Sequence, residues 1–160
     1  QAFQQVEKTL PPEIPLTSFS ILFARRKGNL QVFSQGLKAI DSLVDGDTVL
    51  VAEGCTHHRQ CGDIGSVKIP AWLQKHTGRK LKFIFTSGSD FLFDSSEKIK
   101  LVVHCGGCML SRRMVTGRLE KCFDAGIPIV NYGILIGYMH GIKLKGNSCL
   151  VERTDIIGDK

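Results

Sequence analysis

The stretch IKLVVHCGGCM, residues 99–109, runs from an apolar segment straight into a C-x-x-C turn flanked by a histidine. Ile99, Leu101, Val102 and Val103 leave too little polar alternation for a strand with one wet face. A short continuous apolar run bounded by glycines is the pattern of a strand buried on both sides, as in a parallel sheet.

Outward from this strand the pattern repeats. TVLVA (48–52) and LKFIFT (81–86) read as further apolar strands, and GIPIVNYG (126–133) supplies another strand and turn. Between them lie helical periodicities: Leu37, Ile40, Leu43 and Val44 up to a stop at Gly46; Trp72, Leu73 and His76 after Pro70 and before Gly78; and Val115, Leu119, Cys122 and Phe123 within a helix from about 109 to 125. A short helix is expected over Ile134 to His140, while FSILFA (19–24) and LQVF (30–33) read as short strands. Residues 1–17, with Pro11, Pro12 and Pro15, read as an arm or linker, and residues 18–160 as the domain. Apolar strands alternating with helices predict an α/β fold: an open, mainly parallel sheet with helices on both faces. Ligands in such sheets bind beyond the carboxyl ends of the strands. Both cysteine-bearing stretches, EGCTHHRQCGDIG (53–65) and HCGGC (104–108), follow predicted strands and so fall on that edge.

The bulk numbers exclude several classes. At 160 residues and 42% hydrophobic content the chain buries a core without needing disulfides. The net charge of +6 is dispersed, its densest groups being Arg25, Arg26, Lys27 and Arg112, Arg113, which does not suggest nucleic-acid binding. GIPIVNYGILIGYM (126–139) is interrupted by Asn131 and glycines and falls short of the roughly 20 residues of a membrane span. The first residues carry neither a signal-peptide pattern nor an initiating Met, so a processed product or a piece of a longer protein in a reducing compartment is expected. There, cysteines serve more often as metal ligands or redox groups than as disulfides.

Cys105 and Cys108 are spaced to approach one ion or cluster, with Gly106 and Gly107 turning the backbone sharply between them. With Cys55-Thr56-His57 they make a C-x-H, a spacer of 46 residues, and an H-C-x-x-C. Three thiols and up to two imidazoles are thus expected on one edge. A four-iron cluster held by three thiolates would leave one iron open, whereas Cys55, His57, Cys105 and Cys108 would equally complete a structural zinc site. A thioredoxin-like dithiol is the third reading, with the pair at a helix N-terminus where the dipole favours thiolate. Cys122 and Cys149 read as ordinary thiols; Cys61 lies in the loop near Cys55; His58, His76 and His140 read as structural. Neither a phosphate-binding G-x-x-x-x-G-K-[ST] loop nor a G-x-S-x-G motif occurs.

EGCTHH, DIGSVKIP, HCGGCM with the following SRR, and GIPIVNYG together resemble the C-terminal iron-sulfur domain of HydF, the maturation GTPase of [FeFe]-hydrogenase, over about residues 16 to 142. The resemblance implies a [4Fe-4S] cluster on Cys55, Cys105 and Cys108, with His57 and His104 as possible fourth-ligand or supporting residues. It implies a non-catalytic scaffold or carrier that holds the diiron precursor and passes it to the hydrogenase apoprotein, with the radical-SAM maturases as further partners. A homo-oligomer in the full-length protein and a cytoplasmic location, or an organellar one in a eukaryote, also follow from it. The family's GTPase domain is not in these residues, and its dimerisation region would be missing or reduced to residues 1–30.

Overall fold

The computed structural model describes residues 6, 9–11, 13–54, 63–88, 91, 98–144 and 151–152. Cys55, His57, His58, Cys61 and Cys149 lie outside the described residues. In chain order the elements are α1 (Phe19–Lys27), α2 (Leu30–Gln35), a 3-10 helix (Gly36–Ser42), β1 (Thr48–Ala52), a π-helical turn (Ile64–Lys68) running into α3 (Ile69–Thr77), β2 (Lys82–Thr86), β3 (Ile99–His104), α4 (Arg112–Asp124), β4 (Ile129–Asn131), α5 (Tyr132–Met139), and a small antiparallel pair, β5 (Lys143–Leu144) with β6 (Val151–Glu152).

The main sheet is parallel throughout, in the order β2-β1-β3-β4. Val49 to Ala52 of β1 and Leu101 to His104 of β3 are all buried, so neither face of the two central strands meets water. This is the expected α/β open sheet, and the reason its central strands read as unbroken apolar runs. Register brings Thr86, Ala52, His104 and Asn131 side by side along one carboxyl edge. The chain steps outward from β1 to β2, then returns to the other side of β1 for β3. The carboxyl ends of β1 and β3 therefore flank the switch point, where open sheets leave a crevice.

Two expected strands are helices. FSILFA and LQVF form α1 and α2, because the Ser18 side chain accepts from Ile21 N-H and Asn29 accepts from Gln31 and Val32 N-H, satisfying first-turn donors that a strand would leave to a neighbour. Along α1 the burial confirms helical spacing: Ile21 and Ala24 point inward, whereas Phe19 and Leu22 are exposed. The expected α-helix after residue 34 is instead 3-10. Ile40 is buried within it and Leu43, the extended residue that ends it, is buried too, whereas Val44 beyond it is exposed. Phe123, expected on the core face of α4, is exposed; it lies about 100° around the helix from buried Cys122, and Arg118 fills the inward stripe with Val115 and Cys122.

Pro70 sits in the first turn of α3 and Gly78 ends it in the left-handed conformation (φ +67), as their positions implied. Gly36 has a different reason to be glycine: a Cβ there would lie 2.1 Å from the backbone oxygen of Ile129 in β4. Among the described residues, no helix is long and apolar enough to cross a membrane.

Candidate metal centre

The site grows from the end of β3. Cys105 N-H donates to Ala52 O at 2.9 Å, extending the β1-β3 ladder by one residue and fixing where the Cys105 side chain departs. Its sulfur receives Gly54 N-H at 3.1 Å and Gly107 N-H at 3.4 Å. Two amide donors aimed at one sulfur suit a thiolate, because each N-H offsets negative charge without a competing proton. Gly54 comes close because of its missing side chain: a Cβ there would meet Leu110 at 2.5 Å.

The Cys105 carbonyl is held as firmly as its thiol. His104 Nδ1 lies 2.7 Å from it and Asn131 Nδ2 donates at 3.4 Å. Asn131 also caps α5 by accepting Gly133 N-H at 2.8 Å, so one buried amide ties the helix start to the cysteine. Arg118 donates from Nη1 to His104 Nε2 at 3.2 Å, and from Nη2 to Gly88 O, with its guanidinium 4.9 Å from the Phe91 ring centroid. A guanidinium only donates, so His104 Nε2 is the acceptor and Nδ1 carries the proton given to Cys105 O. Burial, aided by the Arg118 charge and opposed by the Cys105 hydrogen bond, holds the imidazole pKa down to about 4. His104 is therefore neutral near pH 7, with its Nε2 lone pair directed at Arg118 and its Nδ1 proton at the Cys105 carbonyl.

Cys108 is exposed and Cys105 half-buried, on a turn that passes through the left-handed Gly107 (φ +67). The pair was expected at a helix N-terminus. Instead α4 begins at Arg112, capped by the Ser111 hydroxyl, which accepts Met114 N-H at 3.2 Å. The amide N-H groups of Gly54 and Gly107, rather than a helix dipole, supply the positive ends facing Cys105.

On the β1 side, Glu53 is buried and 3.5 Å from the Tyr132 hydroxyl. Burial and the Glu53 charge push the Tyr132 pKa far above its ordinary value, so the phenol stays protonated. Gly65 makes room for both groups: a Cβ would approach each to 2.3 Å. Asp63, where the loop re-enters the described residues, caps the π-helical turn by accepting Ser66 N-H at 2.9 Å. DIGSVKIP thus has a structural role at each of Asp63, Gly65 and Pro70.

Among the described residues, no three His, Cys, Asp or Glu side chains group to hold a metal ion. Cys105 and Cys108 are together; Cys55 and His57 lie outside the described residues, although Cys55 follows directly on the Gly54 that donates to Cys105. The donor set that is described, two thiols on one turn with amides facing one of them, fits a thiolate-held cluster or ion. Cys122, read as an ordinary thiol, is fully buried, and burial raises its pKa to about 12. His76 and His140 lie elsewhere, packed on Tyr138 and Trp72 respectively. Sequence reading missed Arg118 and Asn131; the available signals were a charge inside an apolar helical stripe and an asparagine directly before a helix.

Residues 31–146 match the hydrogen maturase F tetramerization domain, and residues 1–28 match the hydrogen maturase F dimerization domain. No curated protein matches the chain.

Proposed function

The chain belongs to the hydrogen maturase F family, and we propose that within hydrogenase maturation it is a scaffold that binds a [4Fe-4S] cluster through Cys55, Cys105 and Cys108. One observation carries the reading. The β1-β3 pairing sets Gly54 N-H 3.1 Å from the Cys105 sulfur, so the residue preceding Cys55 already touches the C-x-x-C turn. When bound through three thiolates, the cluster would supply one iron open to exchange. The chain's own part is to hold Cys105 by its amide, carbonyl and sulfur, to keep His104 neutral and oriented, and to leave Cys108 at the surface where a diiron precursor arrives as cargo. His57 is proposed as a further contact and His104 as a support to Cys105.

The proposed outcome is delivery of that precursor to the hydrogenase apoprotein, with the radical-SAM maturases as suppliers. A homo-oligomer is proposed because both matched domains are named for association. Neither name denotes catalysis, which supports a non-enzymatic role for these residues.

Anaerobic reconstitution with iron and sulfide tests the cluster. About four irons and four sulfides per chain are expected, lost on Cys55→Ser, Cys105→Ser or Cys108→Ser. Stoichiometric zinc without sulfide would replace the reading with a structural zinc module. A metal-free chain that reduces disulfides would replace it with a dithiol oxidoreductase.

A further inference from the structure

The turn between β3 and α4 is shaped from outside itself. Lys27, in the last turn of α1, donates from Nζ to Gly107 O at 3.0 Å and to Cys108 O at 2.8 Å. Gly107 O also receives Leu110 N-H at 3.2 Å. The ammonium is further placed by its own helix, lying 4.7 Å from the Phe23 ring centroid. At the start of the turn, Ser20 of α1 closes on Gly106, where a Cβ would come within 2.8 Å of Ser20 Oγ. One helix therefore grips the turn at both ends.

Gly106 and Gly107 give this turn more unfolded freedom than any other residue pair would, so its geometry depends on what restrains it. A charge-assisted donor shared by two carbonyls is a strong restraint. The helix that provides it closes the segment matching the dimerization domain, residues 1–28, whereas the turn lies in the segment matching the tetramerization domain, residues 31–146. The shape of the thiol-bearing turn is thus set jointly by both segments.

We propose that Lys27 is a positioning residue for the Cys105-Cys108 pair: its ammonium, bridging the Gly107 and Cys108 carbonyls, holds the turn in the shape that presents both thiols to one metal. This rests on the reading of Cys105 and Cys108 as ligands. Loss of the bridge releases Gly107, removing its N-H from the Cys105 sulfur and separating the two thiols.

The test uses the full chain, metal-free and anaerobic, as wild type, Lys27→Met and Lys27→Arg. Co2+ is titrated in while the thiolate-to-cobalt absorption is followed, and iodoacetamide labelling of each cysteine is timed by mass spectrometry without metal. Lys27→Met is expected to weaken Co2+ binding about tenfold, the scale of one charge-assisted hydrogen bond. It should also speed labelling of Cys105 while Cys122 stays protected. Lys27→Arg, which keeps the charge and the donors, is expected to restore both to within about twofold. Unchanged affinity and labelling in Lys27→Met would overturn the proposal, as would a loss that Lys27→Arg does not restore. Exposure of Cys122 in step with Cys105 would also overturn it, by showing a general loss of stability. If wild type itself gives no thiolate-to-cobalt band, the ligand reading fails, and the labelling arm still decides whether Lys27 shapes the turn.

Discussion

Replacing Arg118 by Met separates a structural charge from a decorative one. Arg118 is 4% exposed and donates to two acceptors, His104 Nε2 and the Gly88 carbonyl. Met retains most of the length and the contact with Phe91 but donates nothing. A buried acceptor left without a donor costs about 1–3 kcal/mol, and the Gly88 oxygen is only partly buried. Against this, the guanidinium no longer has to be desolvated, which returns part of the loss. The net destabilisation is about 2–4 kcal/mol, a large share of the 5–15 kcal/mol typical of a domain. In urea, with a slope of about 2 kcal/mol/M, Cm falls by about 1–2 M. Arg118→Lys should lose nearly as much, because one nitrogen on a shorter side chain replaces the two guanidinium nitrogens that each reach a separate acceptor, and an ammonium is harder to dehydrate. Imidazole nitrogen spectra supply a second reading, since the wild type should show His104 in the Nδ1-H tautomer. A Cm shift under about 0.25 M for Arg118→Met, or a wild-type Nε2-H tautomer, would refute the account of this buried network.

Other perturbations isolate single contacts. Gly36→Ala should destabilise by more than about 2 kcal/mol, since its Cβ meets the Ile129 backbone. Gly117→Ala, with open space in the middle of α4, should stabilise by about 0.5–1 kcal/mol; chemical denaturation of both variants checks the contrast. Asn131→Ala removes the cap of α5 and a donor to Cys105 O, and should cost about 1–3 kcal/mol, with amide exchange at Gly133 and Cys105 quickening. In the metal-free protein near pH 8, a thiol reagent should label Cys108 at once and Cys122 only on unfolding. Because the folded Cys122 thiol ionises near 12 rather than its ordinary 9.0, its contribution to stability is intact below pH 9 and is lost as pH rises toward 12. In urea titrations the stability advantage of wild type over Cys122→Ala should therefore be larger at pH 8 than at pH 10.5.

The central strands were legible in the chain because burial on both faces leaves no room for polar alternation, and TVLVA and IKLVVH obey that constraint locally; LKFIFT, the edge strand, is apolar in sequence but only half-buried or exposed along β2. The C-x-x-C spacing was legible for the same reason: two thiols on one turn are a local fact. FSILFA and LQVF were not, since a short apolar run serves a helix or a strand equally. There the deciding signals were Ser18 and Asn29, single caps just outside each run.

What the sequence determined by itself was therefore the fold class, the strands of the core and the edge on which Cys105 and Cys108 fall. These depend on periodicity and on residues within a few positions of one another. Tertiary structure alone decided which groups surround Cys105. Gly54, Asn131 and Arg118 act on this turn across 51, 26 and 14 positions, and Lys27 across 80. The donors that orient a thiol are selected by strand register and helix packing, and neither leaves a spacing for a sequence to display.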